Sequence, residues 1–219
     1  MTSDKTTGTV LDSSRQPARG TYEDRRSEFI GEICHIEGAD DALRFVQSVR
    51  DRNPKARHVA YAAMWGTGGA SGERMSDDGE PSGTAGKPIL DVLRANALTD
   101  CVVTVTRYFG GILLGSGGLI RAYSNAATAA VAAAKHARIV EGRELSMTVP
   151  YAWYEQVVQL VRTSGGTVAH EEFTDAVAVT AHVPAESAGA FVSRLREMTA
   201  ATVEAEDLGA VHEAVPVER

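Results

Sequence analysis

Apolar residues alternate from Glu28 to Ile36, with Phe29 and Ile33 on one face, which predicts a strand. Asp40 or Asp41 can cap a following helix that turns Leu43, Val46 and Val49 inward and ends before Pro54. His58 to Met64 predicts a second strand with Val59, Tyr61 and Ala63 on one face. Gly66 to Gly72 reads as a flexible loop, and Ser76 to Gly86 as a polar, turn-rich segment without regular structure. Pro88 suits the first turn of a helix that buries Ile89, Leu90, Leu93 and Ala97. The β-branched run Cys101 to Val105 predicts a central strand. A Gly-rich loop at 110–118 then feeds a long helix with Leu119, Ile120, Tyr123, Ala127, Ala130, Val131 and Ala134. Its small residues on nearly every face call for tight packing on a sheet.

The pattern restarts near Glu141–Gly142. Leu145, Met147 and Val149 alternate as a strand, and Trp153, Val157, Val158 and Val161 follow at helical spacing up to Gly165–Gly166. Val168 to Phe173 and Val177 to Val183 predict two strands split by Thr174–Asp175. A helix carrying Ala188, Phe191, Val192, Leu195 and Met198 comes next, then a last strand at Ala201 to Ala205. The order β-α-β-β-α-β is the ferredoxin-like plan. The expected class is therefore α+β, with a disordered leader at 1–20, a first module at 21–143, a second at 144–210 and a tail at 211–219.

Composition adds limits. The 219 residues are 43% apolar and 23% charged, an ordinary globular balance with room for two small cores. The alanine-rich run after Asn125 is too short and too weakly apolar to span a bilayer, and Met1 to Gly20 lacks the apolar core of a signal peptide. A soluble cytoplasmic protein with no membrane partner is expected. Cys34 and Cys101 are then expected to be buried reduced thiols. The net charge of −7 is uneven: residues 1–144 balance at 18 basic and 18 acidic, while 145–219 carry 4 basic against 11 acidic. Phosphate backbones are bound by basic clusters, so any nucleic-acid contact is expected on the first module, and DNA is not an expected partner.

Two stretches stand apart from packing sequence. The first, Ser76 to Pro88, contains Asp77, Asp78, Gly79, Glu80, Pro81, Ser82, Gly83 and Thr84. Its carboxylates can ligate Mg²⁺ or Ca²⁺, contact another ligand, or close a self-bonded turn with Glu80 paired to Arg107 or Arg121. The spacing is not that of an EF-hand. The second runs from Val105 to Ser124 and holds Arg107, Tyr108, Phe109, Gly110, Gly111, Gly115, Ser116, Gly117, Gly118 and Arg121. Free N–H groups at the helix start attract an anion, with Arg107 and Arg121 as countercharge; alternatively the glycines serve only positive φ and close approach. The terminal GK[ST] of a P-loop is missing. Tyr108 and Phe109 can stack on a base or belong to the core. His58 is a general base, a metal ligand or a hydrogen-bonded strand residue, and His35, His136, His170, His182 and His212 fall in no metal spacing. Ser82, Thr84 and Ser124 become nucleophiles only beside a base. No metal and no cofactor is expected.

These two runs resemble the signature of the YigZ/Impact family: a DDGEPSGTAG loop, a strand ending in RYFGG, then LGxGGLxRAYS. The resemblance runs from about Arg26 onward, including the first strand at Ser27-Glu28-Phe29-Ile30. At His58-Val59-Ala60-Tyr61 the chain keeps the histidine of the family's His-Asn-Cys-Trp-Ala-Tyr run but not its neighbours. The resemblance implies a first module like the second domain of ribosomal protein S5 and a second like the fifth domain of elongation factor G. Eukaryotic members carry a related first domain that acts in translational control, competing for the activator of a stress kinase. A regulatory binding protein acting on the ribosome, RNA or a translation factor is thereby expected, with a phosphate-like anion at the glycine loop. Two alternatives stay open: an enzyme acting on a phosphorylated small molecule, and a protein-binding regulator that docks through its acidic second module. The expected site joins both runs: Asp77, Asp78, Glu80, Ser82, Thr84, Arg107, Tyr108, Gly110, Gly111, Gly115, Gly117, Gly118 and Arg121. In the unliganded state the 77–80 carboxylates are expected to offset Arg121, whose cation near a helix N-terminus costs about 0.3–1 kcal/mol.

Overall fold

The computed structural model describes residues 7–67 and 71–217. The chain runs β1 (Gly8–Val10), β2 (Ala18–Asp24), β3 (Ser27–His35), α1 (Ala39–Arg52), β4 (His58–Trp65), β5 (Gly72–Ser76), α2 (Gly86–Ala95), β6 (Cys101–Tyr108) and α3 (Ser116–Ala133). It continues with β7 (His136–Val149), α4 (Tyr151–Thr163), β8 (Thr167–Phe173), β9 (Val177–Pro184), α5 (Ala185–Met198) and β10 (Ala205–Pro216). Two compact units result: Met1–Ile139 with Ala214–Arg219, and Val140–Glu213.

In the first unit an antiparallel sheet has the order β2-β3-β6-β4-β5. β6 lies between two partners and is buried along almost all its length, as a continuous β-branched run requires. Alternation sorts the side chains to the two faces. Cys34, Val59, Tyr61, Ala63 and Val102 meet Phe45, Val46 and Val49 of α1. Phe29, Ile33, Ala60, Val103 and Val105 meet α2 and α3 on the other face. Cys34 and Cys101 therefore belong to opposite cores, both as free thiols. Burial pushes the Cys34 thiol up to about 12 and raises Cys101 as well, so neither is a thiolate at neutral pH.

The small residues of α3 have a specific purpose. Gly20 and Gly31 face each other across β2 and β3, and α3 lies directly on them. A Cβ on Gly31 would stand 2.4 Å from the Ala126 carbonyl oxygen, and one on Gly20 would stand 2.3 Å from Ala129. The backbone of the helix touches the backbone of the sheet there.

In the second unit the sheet order is β10-β7-β9-β8, the ferredoxin-like order. Leu145, Met147, Val149, Val177, Val179 and Ala181 form one apolar face under Val157, Val161, Phe191 and Leu195 of the two helices. No helix among the described residues is long and apolar enough to cross a membrane.

Several expectations are corrected. The expected leader at 1–20 is structured from β1 on; β1 pairs with the start of β7, and β2 with β3. Its polar composition concealed this because β1 is only three residues long, too short for alternation to register although Thr9 and Val10 are buried. Residues 1–6, 68–70 and 218–219 lie outside the described residues. The reset in periodicity near Gly142 lies within one long strand, β7. The last strand begins at Ala205, not Ala201, because Ala200 and Ala201 take positive φ of 48° and 60° in a turn. That strand also absorbs most of the expected tail. β5, assigned to no element, is the edge partner of β4. α1 has Gly38 at its N-cap, and Asp41 reaches back to the Glu37 N–H at 3.0 Å.

Replacing Gly31 with Ala is expected to cost about 1–3 kcal/mol by overpacking the β3–α3 contact. The urea midpoint should fall with an unchanged slope. An unshifted midpoint would show that the helix can move away freely.

Candidate functional site

Asp77, Asp78 and Glu80 lie on the loop between β5 and α2, yet each faces a different partner. The Asp77 carboxylate accepts the N–H groups of Gly83 at 2.8 Å, Ala85 at 2.9 Å and Gly86 at 2.8 Å, so it closes the start of α2 from nine residues away. Burial pushes Asp77 toward its neutral form, but the three N–H donors outweigh it and hold its carboxyl below the usual carboxylate range. Asp78 accepts the Val59 N–H at 2.7 Å and Arg50 at 2.6 Å. Its carbonyl oxygen lies 2.7 Å from His58 Nδ1, so His58 pins the loop.

Glu80 turns inward. Its Oε1 accepts Arg107 Nη1 at 2.6 Å and the Tyr123 hydroxyl at 2.9 Å. The Glu80 and Arg107 side chains are 4% and 9% exposed, which makes this a buried ion pair. Burial raises the Tyr123 hydroxyl well above its ordinary value, reinforced by the Glu80 charge, so the phenol stays protonated and donates. The Arg107 guanidinium carbon lies 5.5 Å from the centre of the Phe29 ring and 5.4 Å from that of Phe109. Phe29 in turn meets Tyr123 edge-on at 5.2 Å. One network thus joins the acidic loop, the end of β6, β3 and α3.

The glycine loop closes the other side. Gly110 donates its N–H to the Ser27 hydroxyl at 3.0 Å, and a Cβ on Gly110 would lie 2.1 Å from the Arg26 backbone. Gly110 therefore admits the β2–β3 turn. That turn is Arg25–Arg26, both at positive φ (45° and 65°), where Asn-Gly is the favoured pair. Arg25 also donates to the Leu113 carbonyl at 2.8 Å. Gly111 and Gly115 take φ of 86° and 73°, and Gly115 is the N-cap of α3 with no side-chain cap. Gly117 is exposed and open; Gly118 is buried against Leu114. Phe109, Ile112 and Leu113 are 44%, 43% and 79% exposed.

The structure thus brings together Glu80, Arg107, Tyr123 and Phe109, and separately closes Asp77 on α2 and Asp78 on α1 and β4. Two expectations change. Arg121 is exposed and makes no ion pair among the described residues, so the 77–80 carboxylates do not offset it; Glu80 takes the arginine on the adjacent strand instead. Tyr108 points away from Phe109 and donates to Asn53, the C-cap of α1, at 2.8 Å, as strand alternation requires. Thr84 donates to the Pro81 carbonyl at 2.6 Å and Ser82 is exposed; among the described residues no hydrogen bond joins Ser82, Thr84 or Ser124 to a histidine or carboxylate. Sequence reasoning missed Tyr123, Arg25 and Arg26 as members of this region. Tyr123 reads as a core residue, and the turn comes near the loop only through the β3–β6 pairing.

Glu80→Ala strands Arg107 in the core and is expected to cost about 3–5 kcal/mol. It should also speed hydrogen exchange across 77–86, whereas Arg121→Ala should leave that exchange unchanged and shift stability by no more than about 0.5 kcal/mol. Faster loop exchange in Arg121→Ala would refute the division of roles. A depressed folded-state pKa contributes stability that is present above the ordinary value of 3.8 and lost as pH falls through the lower folded value. The stability gap between wild type and Asp77→Asn should therefore hold from neutrality to near that value and shrink below it. A gap that widens on acidification contradicts the Asp77 geometry.

Comparisons with known proteins agree with the two-unit fold. Residues 25–131 match the Impact N-terminal domain, and residues 147–202 match a domain of unknown function, DUF1949. An IMPACT family member from Haemophilus influenzae is 35% identical over 80% of this chain and 85% of its own. The Escherichia coli IMPACT family member YigZ is 31% identical over 84% of this chain and 90% of its own. The Bacillus subtilis IMPACT family member YvyE is 32% identical over 80% of each. A crystal structure described only as a hypothetical protein superposes with a TM-score of 0.62 at 28% identity, covering 93% of this chain and 98% of that one. With both modules matched in order and the signature runs inside the first, the chain belongs to the YigZ/Impact family.

Proposed function

We propose that the chain is a translation-linked regulatory binding protein of the cytoplasm, acting on the ribosome, RNA or a translation factor through the loop Phe109–Gly115. One observation carries this reading: that loop holds Phe109, Ile112 and Leu113 in solvent beside Arg25 and Arg26. Neighbouring exposed apolar residues on a pinned loop mark a contact surface. The inner face of Phe109 covers Arg107, which leaves the ring positioned to stack from outside. A phosphate-like group suits the start of α3 at the exposed Ser116 and Gly117, with Arg121, which has no ion pair among the described residues, nearby in sequence. The acidic second unit is an unsuitable phosphate surface, with 4 basic residues against 11 acidic ones in 145–219.

The enzymatic alternative is the weaker reading. Asp77, Asp78 and Glu80 are each engaged by protein donors, and among the described residues no hydrogen bond joins Ser82, Thr84 or Ser124 to a base.

Co-sedimentation with purified ribosomes and anisotropy titration of single-stranded RNA test the proposal, with purified translation factors as a third arm. Ile112→Asp and Leu113→Asp are expected to weaken binding about tenfold each without loss of stability. Unchanged binding in both variants removes the loop from the contact surface. Failure to bind ribosomes, RNA or any translation factor sinks the reading as a whole.

A further inference from the structure

A second site lies in the first unit, apart from the signature runs. A cavity of about 680 Å³ opens where β1, the end of β3 and α1 meet, a size within the range of small-molecule sites. Val10, Ile36 and Phe45, all buried, form its apolar floor. Leu11, 41% exposed, extends the apolar surface toward solvent.

The walls are firmly held. Leu11 donates its N–H to the Lys135 carbonyl at 2.8 Å, His35 to the Asp12 carbonyl at 2.8 Å, and Ile36 to the Asp100 carbonyl at 3.0 Å. Those backbone donors are spent on the protein, so recognition falls to side chains on the rim. Four charges stand there. Arg44 and Asp41 pair with each other, and Asp41 also accepts the Glu37 N–H. Arg15 and Glu37 also line the cavity, and among the described residues neither side chain has an ion pair. One cation and one carboxylate without ion pairs among the described residues, with an apolar floor, form a complementary set: carboxylate to Arg15, ammonium to Glu37, apolar side chains on Val10, Ile36 and Phe45.

We infer that this cavity binds a small zwitterion with an apolar body, of the class of apolar dipeptides. The volume exceeds what a single amino acid fills, and the two unpaired charges sit on separate segments, as the two ends of a short peptide require. The inference is independent of the translation-linked reading, because it uses no residue of the Phe109–Gly115 loop.

Calorimetric titration of the full chain with leucylleucine, its N-acetyl form and its C-terminal amide tests it. The dipeptide should bind, and each blocked form should bind about fivefold more weakly, a modest effect because both rim charges are exposed. Arg15→Gln should abolish the penalty of amidation and keep that of acetylation; Glu37→Gln should do the reverse. Ser48→Trp, which obstructs the cavity beside Phe45, should weaken binding of all three. Leu11→Trp narrows it from the other wall and replaces Ser48→Trp if that variant misfolds. Equal binding of the three peptides, no binding at millimolar concentration, or binding unchanged in both tryptophan variants overturns the inference.

Discussion

The buried pair of Glu80 and Arg107 is the contact on which the first unit's functional region depends. A carboxylate and a guanidinium removed from water are tolerated only if their hydrogen-bonding capacity is used. Here Tyr123 supplies the second donor to Glu80, and two aromatic rings lie 5.4 and 5.5 Å from the arginine. Because the members of this network come from a loop, two strands and a helix, no one of these elements can shift alone.

That constraint explains why an acidic, polar loop is ordered. The segment 77–86 has almost no apolar surface of its own. Asp77 is spent on the start of α2, Asp78 on β4 and α1, and Glu80 on the core. Three carboxylates close in sequence suggest a shared cation. Their separation in space follows from the turn: Asp78 and Gly79 take positive φ of 50° and 87°, which rotates successive side chains apart. Gly110 plays the matching part for the second run by admitting the Arg25–Arg26 turn.

The division into a rigid inner network and an exposed outer loop separates structure from recognition. Arg107 and Phe29 lie inside, while Phe109 faces both sides and Ile112 and Leu113 face water. Contacts made outside the network need not disturb the charges within it. The second unit differs in kind: its ferredoxin-like sheet has one apolar face against α4 and α5, and its acidic excess lies elsewhere than on this loop.

Much of this was legible in the chain itself. Periodicity marked the faces of β3 and β4, the central position of β6, the tight seat of α3 and the β-α-β-β-α-β order, because burial of alternate or helically spaced side chains writes itself into local sequence. The signature runs placed the chain in its family. Three strands did not show: β2 and β5 are edge strands with few buried side chains, and β1 is only three residues long, too short for alternation to register although Val10 is buried. Nor did the choice between Arg107 and Arg121 as the partner of Glu80, or the approach of Arg25 and Arg26 to Gly110. Those depend on strand register and on which face of β6 a residue occupies relative to a loop 27 positions away. Local sequence sets what each element buries; only the packed sheet decides which distant charges meet.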